Sequence, residues 1–190
     1  GLCPERTYSF EYGNALFVVL DSNRPPEAQQ DWLESRLRDT EAVWKFVVCH
    51  HPAYSSKSTR DNPELRDAWC SLFDRYHVDI VFQGHDHAYL RTQPMRAREA
   101  VASPAEGTIY VIAVAGTKFY RMEMPEYAAA GAVHTSTYQT VDIQTSDPNR
   151  LEYRAYTADG EMIDQFVIEK TSAAAPHEAL SHSLSGSLLE

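Results

Sequence analysis

Two histidine clusters stand out as groups that could do chemistry together. The stretch "VVCHHPAYSS" carries His50 and His51, and "VFQGHDHAYLRT" carries His85 and His87. Both follow apolar runs. Neutral imidazole is the commonest metal ligand, and it suits Zn, Fe, Mn, Ni or Cu better than Mg or Ca. Three imidazoles could hold one zinc ion with a position left open, whereas a two-metal hydrolytic centre would also need bridging and terminal carboxylates. A plainer reading is that strand-end histidines only cap loops and bond carbonyls. Two such clusters at the ends of neighbouring strands favour the metal site.

Spacing selects among the histidines. In extended backbone, residues i and i+2 face the same way, so His85 and His87 are expected on one side with Asp86 turned away. On a helix the same two steps would set them about 200° apart. The alternation also predicts that His50 and His51 cannot both be ligands: His50 is expected to face the pair and His51 to point away. Gly84 is expected to allow a sharp turn and close approach, and Pro52 to end its strand by removing a ladder donor. The rings of His50, His85 and His87 are then expected within about 8 Å of one another, as two metals sharing the cluster would require.

The elements that must position these residues are legible. Residues 7–12 and 15–20 read as two strands around a turn at Gly13-Asn14. Pro25 and Pro26 suit a helix start, with Trp32, Leu33 and Leu37 at helical spacing through to about Arg38. Residues 42–49 read as a buried strand. Pro63 opens a second helix with an apolar stripe of Leu65, Trp69, Leu72, Phe73 and Tyr76, and residues 78–82 form the next strand. Strand 42–49, helix 63–76 and strand 78–82 make a βαβ unit, which requires parallel strands. Their C-terminal ends share one sheet edge, where ligand sites of open α/β sheets lie. That brings His50 toward His85 and His87. Residues 93–107 read as loop, 108–115 as a buried strand and 116–135 as irregular. Strands 138–144, 151–157 and 162–169 follow, joined by turns at "SDPN" and "ADGE" as in an antiparallel meander.

Composition narrows the functional class. The chain has 190 residues and 43% hydrophobic content, enough for one domain with a sizeable core. Its 17 basic and 27 acidic residues give a net charge of −10, which argues against a general nucleic-acid footprint. A metal would be needed to attract an anionic substrate. No stretch approaches a membrane span. Three cysteines, Cys3, Cys49 and Cys70, are too few for a disulfide framework, and the latter two read as buried thiols. The chain opens "GLCPERTYSFEYG" without Met or signal peptide, which points to a fragment. Residues 171–190 lack aromatic and β-branched-rich segments and read as a disordered tail or linker.

In order along the chain, "TYSFEYGNALFVVLDS", "WLESRL", "VVCHHPAYSS" and "VDIVFQGHDHAYLRT" resemble the second half of the calcineurin-like metallophosphoesterases. They look most like the purple-acid-phosphatase-like branch, over about residues 5–170. The resemblance implies part of a four-layer α/β/β/α sandwich with mixed sheets, its N-terminal half missing, and a centre of two metal ions, Fe, Zn or Mn. By position in the family's H-x-P and G-H-x-H motifs, His50 and His85 would ligate one metal and His87 the other. The implied reaction is phosphoester hydrolysis of a small substrate, and the implied location secreted or periplasmic. The family's D-x-H, G-D-x-x-[DY] and G-N-H-[ED] motifs precede this region and are not in the chain. The bridging carboxylate and general acid would therefore lie upstream. The alternative function is a non-catalytic metal-binding or remnant binding module lacking those carboxylates.

Other residues receive weaker assignments. His51 could contact substrate phosphate or support a ligand. Asp21 ends a strand, where a cap on the Pro25 helix is expected rather than a metal ligand. Arg91 is expected in a structural salt bridge, Tyr54 and Tyr89 in pocket walls, and His77 as a helix-end cap. His134 lies in the irregular segment, and His177 and His182 in the tail. Because the family's sandwich needs strands from outside the chain, strand 42–49 is expected to show an unpaired edge.

Overall fold

The computed structural model describes residues 2–146 and 149–170. The expected tail with His177 and His182, and the centre of the "SDPN" turn, lie outside them. The two N-terminal strands, β1 (Tyr8–Tyr12) and β2 (Ala15–Val19), form the expected antiparallel hairpin. Gly13 sits between them at φ 60°, the left-handed region that glycine enters without steric cost. A 3-10 turn at Pro26–Gln29 leads into α1 (Gln30–Arg38). Strand β3 (Trp44–Val48) follows. Helix α2 runs without a break as an α turn Pro63–Leu65, a π segment Arg66–Cys70 and an α segment Ser71–Tyr76. It leads to β4 (Ile80–Gln83).

The C-terminal half adds β5 (Tyr89–Thr92), a short hairpin of β6 (Met95–Arg96) and β7 (Glu99–Ala100), then β8 (Ile109–Ile112) and β9 (Ala128–Ala132). The meander of β10 (Thr137–Gln144), β11 (Asn149–Thr157) and β12 (Met162–Lys170) closes the chain. Strands β5, β6, β7 and β9 fall in segments that lack alternating apolar residues. They form by pairing, and β5 is held on both sides, by β8 and by β9.

Seven strands make the main sheet, in the order β1-β2-β3-β4-β8-β5-β9. Parallel pairs join β2 to β3, β3 to β4 and β4 to β8. The expected βαβ unit is present, and α1 makes a second one between β2 and β3. The expectation of an unpaired edge on strand 42–49 is therefore wrong. Both crossovers return the chain alongside β3, so it is hydrogen-bonded on each side by this chain's own strands.

What is incomplete is a face. One side of the sheet buries Leu16, Val18, Val47 and Val81 under α1 and α2, against Leu33, Leu37, Trp69 and Phe73. The other buries Trp44, Phe46, Ile80, Ile109 and Val111 under the meander's Leu151, Tyr153, Ala155 and Ile168. The meander leaves β1 uncovered. Phe10 is 50% exposed and Tyr12 80% exposed, and Phe10, Phe17, Phe46 and Phe82 form a row with successive ring centroids 4.9, 5.1 and 6.2 Å apart. A groove of about 360 Å³ lined by Tyr12, Phe17, Phe46, Phe82, Val141 and Ile143 marks the boundary. The chain thus builds three layers, helices on sheet on sheet, with the middle sheet partly bare.

Buried charge pins the two sheets together. Arg91 on β5 donates from Nε and Nη2 to Asp164 on β12, at 2.6 and 2.9 Å, so it is the structural ion pair expected. Tyr89 is not a pocket wall: it is buried, and its hydroxyl donates to the same carboxylate at 2.7 Å. Replacing Asp164 by Ala should strand this nearly buried guanidinium and cost about 3 kcal/mol, read as a lowered denaturant midpoint. Cys49 and Cys70 are buried thiols, and burial pushes both up to about 12. The exposed Cys3 should therefore be the single thiol of three that reacts with an aromatic disulfide reagent in the native protein at pH 8, all three reacting after unfolding.

Candidate metal centre

The parallel strands β2, β3 and β4 all end at one sheet edge, and their ladder continues past the strand ends. Leu20 N donates to Val48 O, Cys49 N to Phe82 O, and Gly84 N to His50 O at 3.0 Å. This stitching sets the segments Asp21-Ser22, His50-His51 and His85-Asp86-His87 side by side.

His50, His51 and His85 form a compact triplet, each offering a ring nitrogen within 4.8 Å of the others. His50 Nε2 lies 3.1 Å from His85 Nδ1. Ring centroids are 5.1 Å apart for His50 and His85, 4.8 Å for His50 and His51, and 4.4 Å for His51 and His85. The alternation argument fails for His51, which joins the cluster. Past Val48 the chain has left regular strand, and Ser22 fixes the residue from the neighbouring strand end. Ser22 Oγ accepts from His51 N at 2.9 Å and meets His51 Nδ1 at 3.0 Å. Nothing in the local sequence of Ser22 marks this role; it follows from the β2–β3 pairing.

The G-H-x-H loop is not extended either. His85 and His87 adopt φ 69° and 50°, left-handed conformations that cost a non-glycine residue of order 1–3 kcal/mol and concentrate at functional sites. Gly84 does not supply the special conformation: a Cβ there would meet only ordinary contacts, 3.8 Å from His50 Nδ1 and O. His87 stands outside the triplet. Its Nδ1 lies 2.8 Å from Lys118 O and its ring stacks on Tyr120, with centroids 4.6 Å apart.

Asp86 holds this strained loop. It is fully buried, accepts from Ser56 N at 2.6 Å, and pairs with Arg60 Nε at 2.8 Å. Arg60 Nη2 also donates to His85 O at 3.0 Å. One guanidinium thereby ties the polar loop after β3 to the histidine loop after β4. Asp21 is occupied in its own turn, accepting from Asn23 N at 3.0 Å, and does not join the triplet. Tyr54 is buried against Tyr110 and Tyr127 and lines a separate groove with Arg66 and Arg98. His77 takes the left-handed position ending α2, its Nε2 3.5 Å from Asp79. His134 packs edge-on to Phe119.

Electrostatics favour neutral imidazoles. Partial burial holds His50 below the usual histidine range, helped by His51 and His87; His85 is lowered by burial and by the Arg60 charge. An unprotonated imidazole is the form that binds a cation. Nitrogens about 2.1 Å from one ion lie within roughly 4.2 Å of each other, so the triplet suits a cation of the Zn, Fe or Mn class after a small contraction. Among the described residues no carboxylate joins it.

Comparison with known proteins finds phosphoesterases. Residues 4–89 match the family model for calcineurin-like phosphoesterase. The chain is 36% identical over 101 residues to purple acid phosphatase 21 of Arabidopsis thaliana, covering 49% of this chain and 23% of that protein. It is 35% identical over 94 residues to the Fe(3+)-Zn(2+) purple acid phosphatase 12 of the same plant, covering 45% and 20%. In fold it resembles purple acid phosphatase PPD1 from yellow lupin (Lupinus luteus) seeds, with a TM-score of 0.72 at 22% identity, over 87% of this chain and 33% of that one. The matches span about a fifth to a third of these relatives. Residues 4–89 thus match the calcineurin-like phosphoesterase model, the chain is similar in sequence to purple acid phosphatases over about half its length, and its fold is that of part of the purple acid phosphatase sandwich.

Proposed function

We propose that this chain contributes the histidine-bearing part of a metal-dependent phosphoester hydrolase with a two-metal centre, the carboxylate ligands and general acid coming from outside it. The observation that carries this reading is the His50–His51–His85 triplet at the ends of adjacent parallel strands. His50 and His85 would hold one cation and His87 the second. Cations bound there would polarise the phosphoryl oxygens and lower the pKa of an attacking water.

The chain's own groups prepare those sites. Arg60 and Asp86 fix the His85 backbone, so the ring needs little reordering. His87 Nδ1, at Lys118 O, leaves Nε2 as the nitrogen for a ligand. A hydrogen bond to the other ring nitrogen is the usual way a ligating imidazole is oriented. His51, its Nδ1 at Ser22, keeps Nε2 for a phosphoryl oxygen of the substrate.

The bare face of the main sheet supports an upstream partner layer. Phe10 and Tyr12 on β1 are costly to leave in water, and covering them would extend three layers toward the family's four. The absence of a carboxylate from the triplet among the described residues favours, as a second reading, a metal-binding module without catalysis.

Hydrolysis of an aryl phosphate with Mn, Fe or Zn present separates the two. The protein extended with its upstream sequence should turn over far faster than this chain alone. Equal turnover by the chain alone would overturn the division of the site, and metal binding without hydrolysis by the extended protein would favour the module. In the extended protein, His50→Ala or His85→Ala should abolish stoichiometric metal uptake, whereas Ser22→Ala, which releases only His51, should leave uptake intact. Metal content after dialysis reads both. Asp86→Ala should leave Arg60 without its buried partner and cost about 2–3 kcal/mol in unfolding measurements.

A further inference from the structure

Strand β1 forms one edge of the main sheet, and no described strand pairs with its outer side. Proteins ordinarily blunt such an edge with Lys, Pro or a bulge. β1 has none of these: it reads Tyr8-Ser9-Phe10-Glu11-Tyr12, its register with β2 is unbroken, and four of its five residues are exposed. Tyr8, Phe10 and Tyr12 alternate onto one face. Ser9 and Glu11 take the other, beside the end of α1, where they share a groove with Arg36 and Asp39. The hairpin decides which backbone groups are free. Tyr12 and Ala15 flank the two-residue turn Gly13-Asn14, so that pair exchanges hydrogen bonds, as do Phe10 with Phe17 and Tyr8 with Val19 by alternation. Ser9 and Glu11 therefore turn their N–H and C=O groups outward, and no other described segment satisfies them.

We propose that two copies of this chain join through β1, antiparallel about a two-fold axis at Phe10, into one continuous sheet. The strand is self-complementary in that register. Ser9 of one copy meets Glu11 of the other in a hydrogen-bonded pair, and the axis repeats it. Phe10 meets Phe10 in the closer, non-bonded pair, and Tyr8 meets Tyr12. Only this centring matches all five residues of the strand, and a centre at Glu11 would set two carboxylates against each other. Charge is complementary as well. Asp39 is taken by Arg38 at 2.8 Å, whereas the exposed Arg36 makes no ion pair among the described residues. In the joined sheet Glu11 of the second copy lies opposite Ser9, on the side of the groove that holds Arg36. This inference goes beyond the hydrolase reading and does not depend on it, since a layer over the aromatic face leaves the edge of β1 open. The axis reverses the strands, so the two histidine triplets fall at opposite margins of the joined sheet.

Sedimentation equilibrium of this chain, and of the protein extended with its upstream sequence, should give a concentration-dependent monomer–dimer equilibrium for both. Ser9→Pro removes an outward N–H and no bond to β2, so it should weaken dimerisation about tenfold or more while the far-UV circular dichroism stays unchanged. Glu11→Arg and Arg36→Glu should each weaken it about three- to tenfold, the change being made twice across the axis. The double exchange should restore the dimer, and the single-variant losses should shrink as salt rises. That charge exchange tests the same register should Ser9→Pro unfold the hairpin. Monomers at every concentration, or a double exchange no tighter than either single variant, would overturn the pairing. Dimers indifferent to Ser9→Pro but lost in Phe10→Ser would overturn it in favour of association through the aromatic face. A dimeric chain whose extended form is monomeric would overturn it in favour of upstream residues on this edge.

Discussion

Parallel pairing of β3 with both β2 and β4 is the constraint from which the rest of the molecule follows. A parallel ladder requires each chain segment to leave the sheet at the same edge and return through a crossover. Three strand ends therefore release Ser22, His50-His51 and Gly84-His85 into one place. The crossovers are α1 and α2, whose apolar stripes seal one face of the sheet. Without the parallel register the two histidine clusters would sit at opposite ends of their strands, and no local feature of either would bring them together.

Position at a common edge is still not alignment. The histidine loop carries two left-handed non-glycine residues, and such strain persists only where surrounding contacts over-determine it. Those contacts are charged and buried. Asp86 accepts from Ser56 N and Arg60, and Arg60 donates to the carbonyl of His85 itself. A neutral hydrogen bond would hold the loop less firmly, because charge-assisted bonds are roughly twice as strong. The same guanidinium faces Tyr120, so the loop after β8 is tied to the same point.

The sheet's two faces differ in a way that matters for function. Helices α1 and α2 bury the apolar residues of the central strands on one. The meander covers part of the other and is clamped there by the Arg91–Asp164 pair and by Lys170 Nζ, 2.8 Å from Asp79 on the lead-in to β4. Toward β1 the cover gives out, and Phe10, stacked on Phe17, is half exposed. That boundary separates what this chain stabilises by itself from what another layer would have to stabilise.

The sequence by itself determined the element types, the βαβ unit and the convergence of His50 with His85. Each rests on local signals: apolar runs, proline and glycine punctuation, and the rule that parallel strand ends share an edge. The buried Cys49 and Cys70 were legible for the same kind of reason, whereas the Arg91 pair was implied by the family resemblance. Tertiary structure alone decided the rest. Strand β9 exists because an available edge paired with it, overriding a segment that read as irregular. His51 turned inward because Ser22, on another strand, holds its backbone and its ring. His85 and His87 took left-handed backbone because Asp86 and Arg60, brought together only in the folded chain, offset the strain that an isolated loop would relieve.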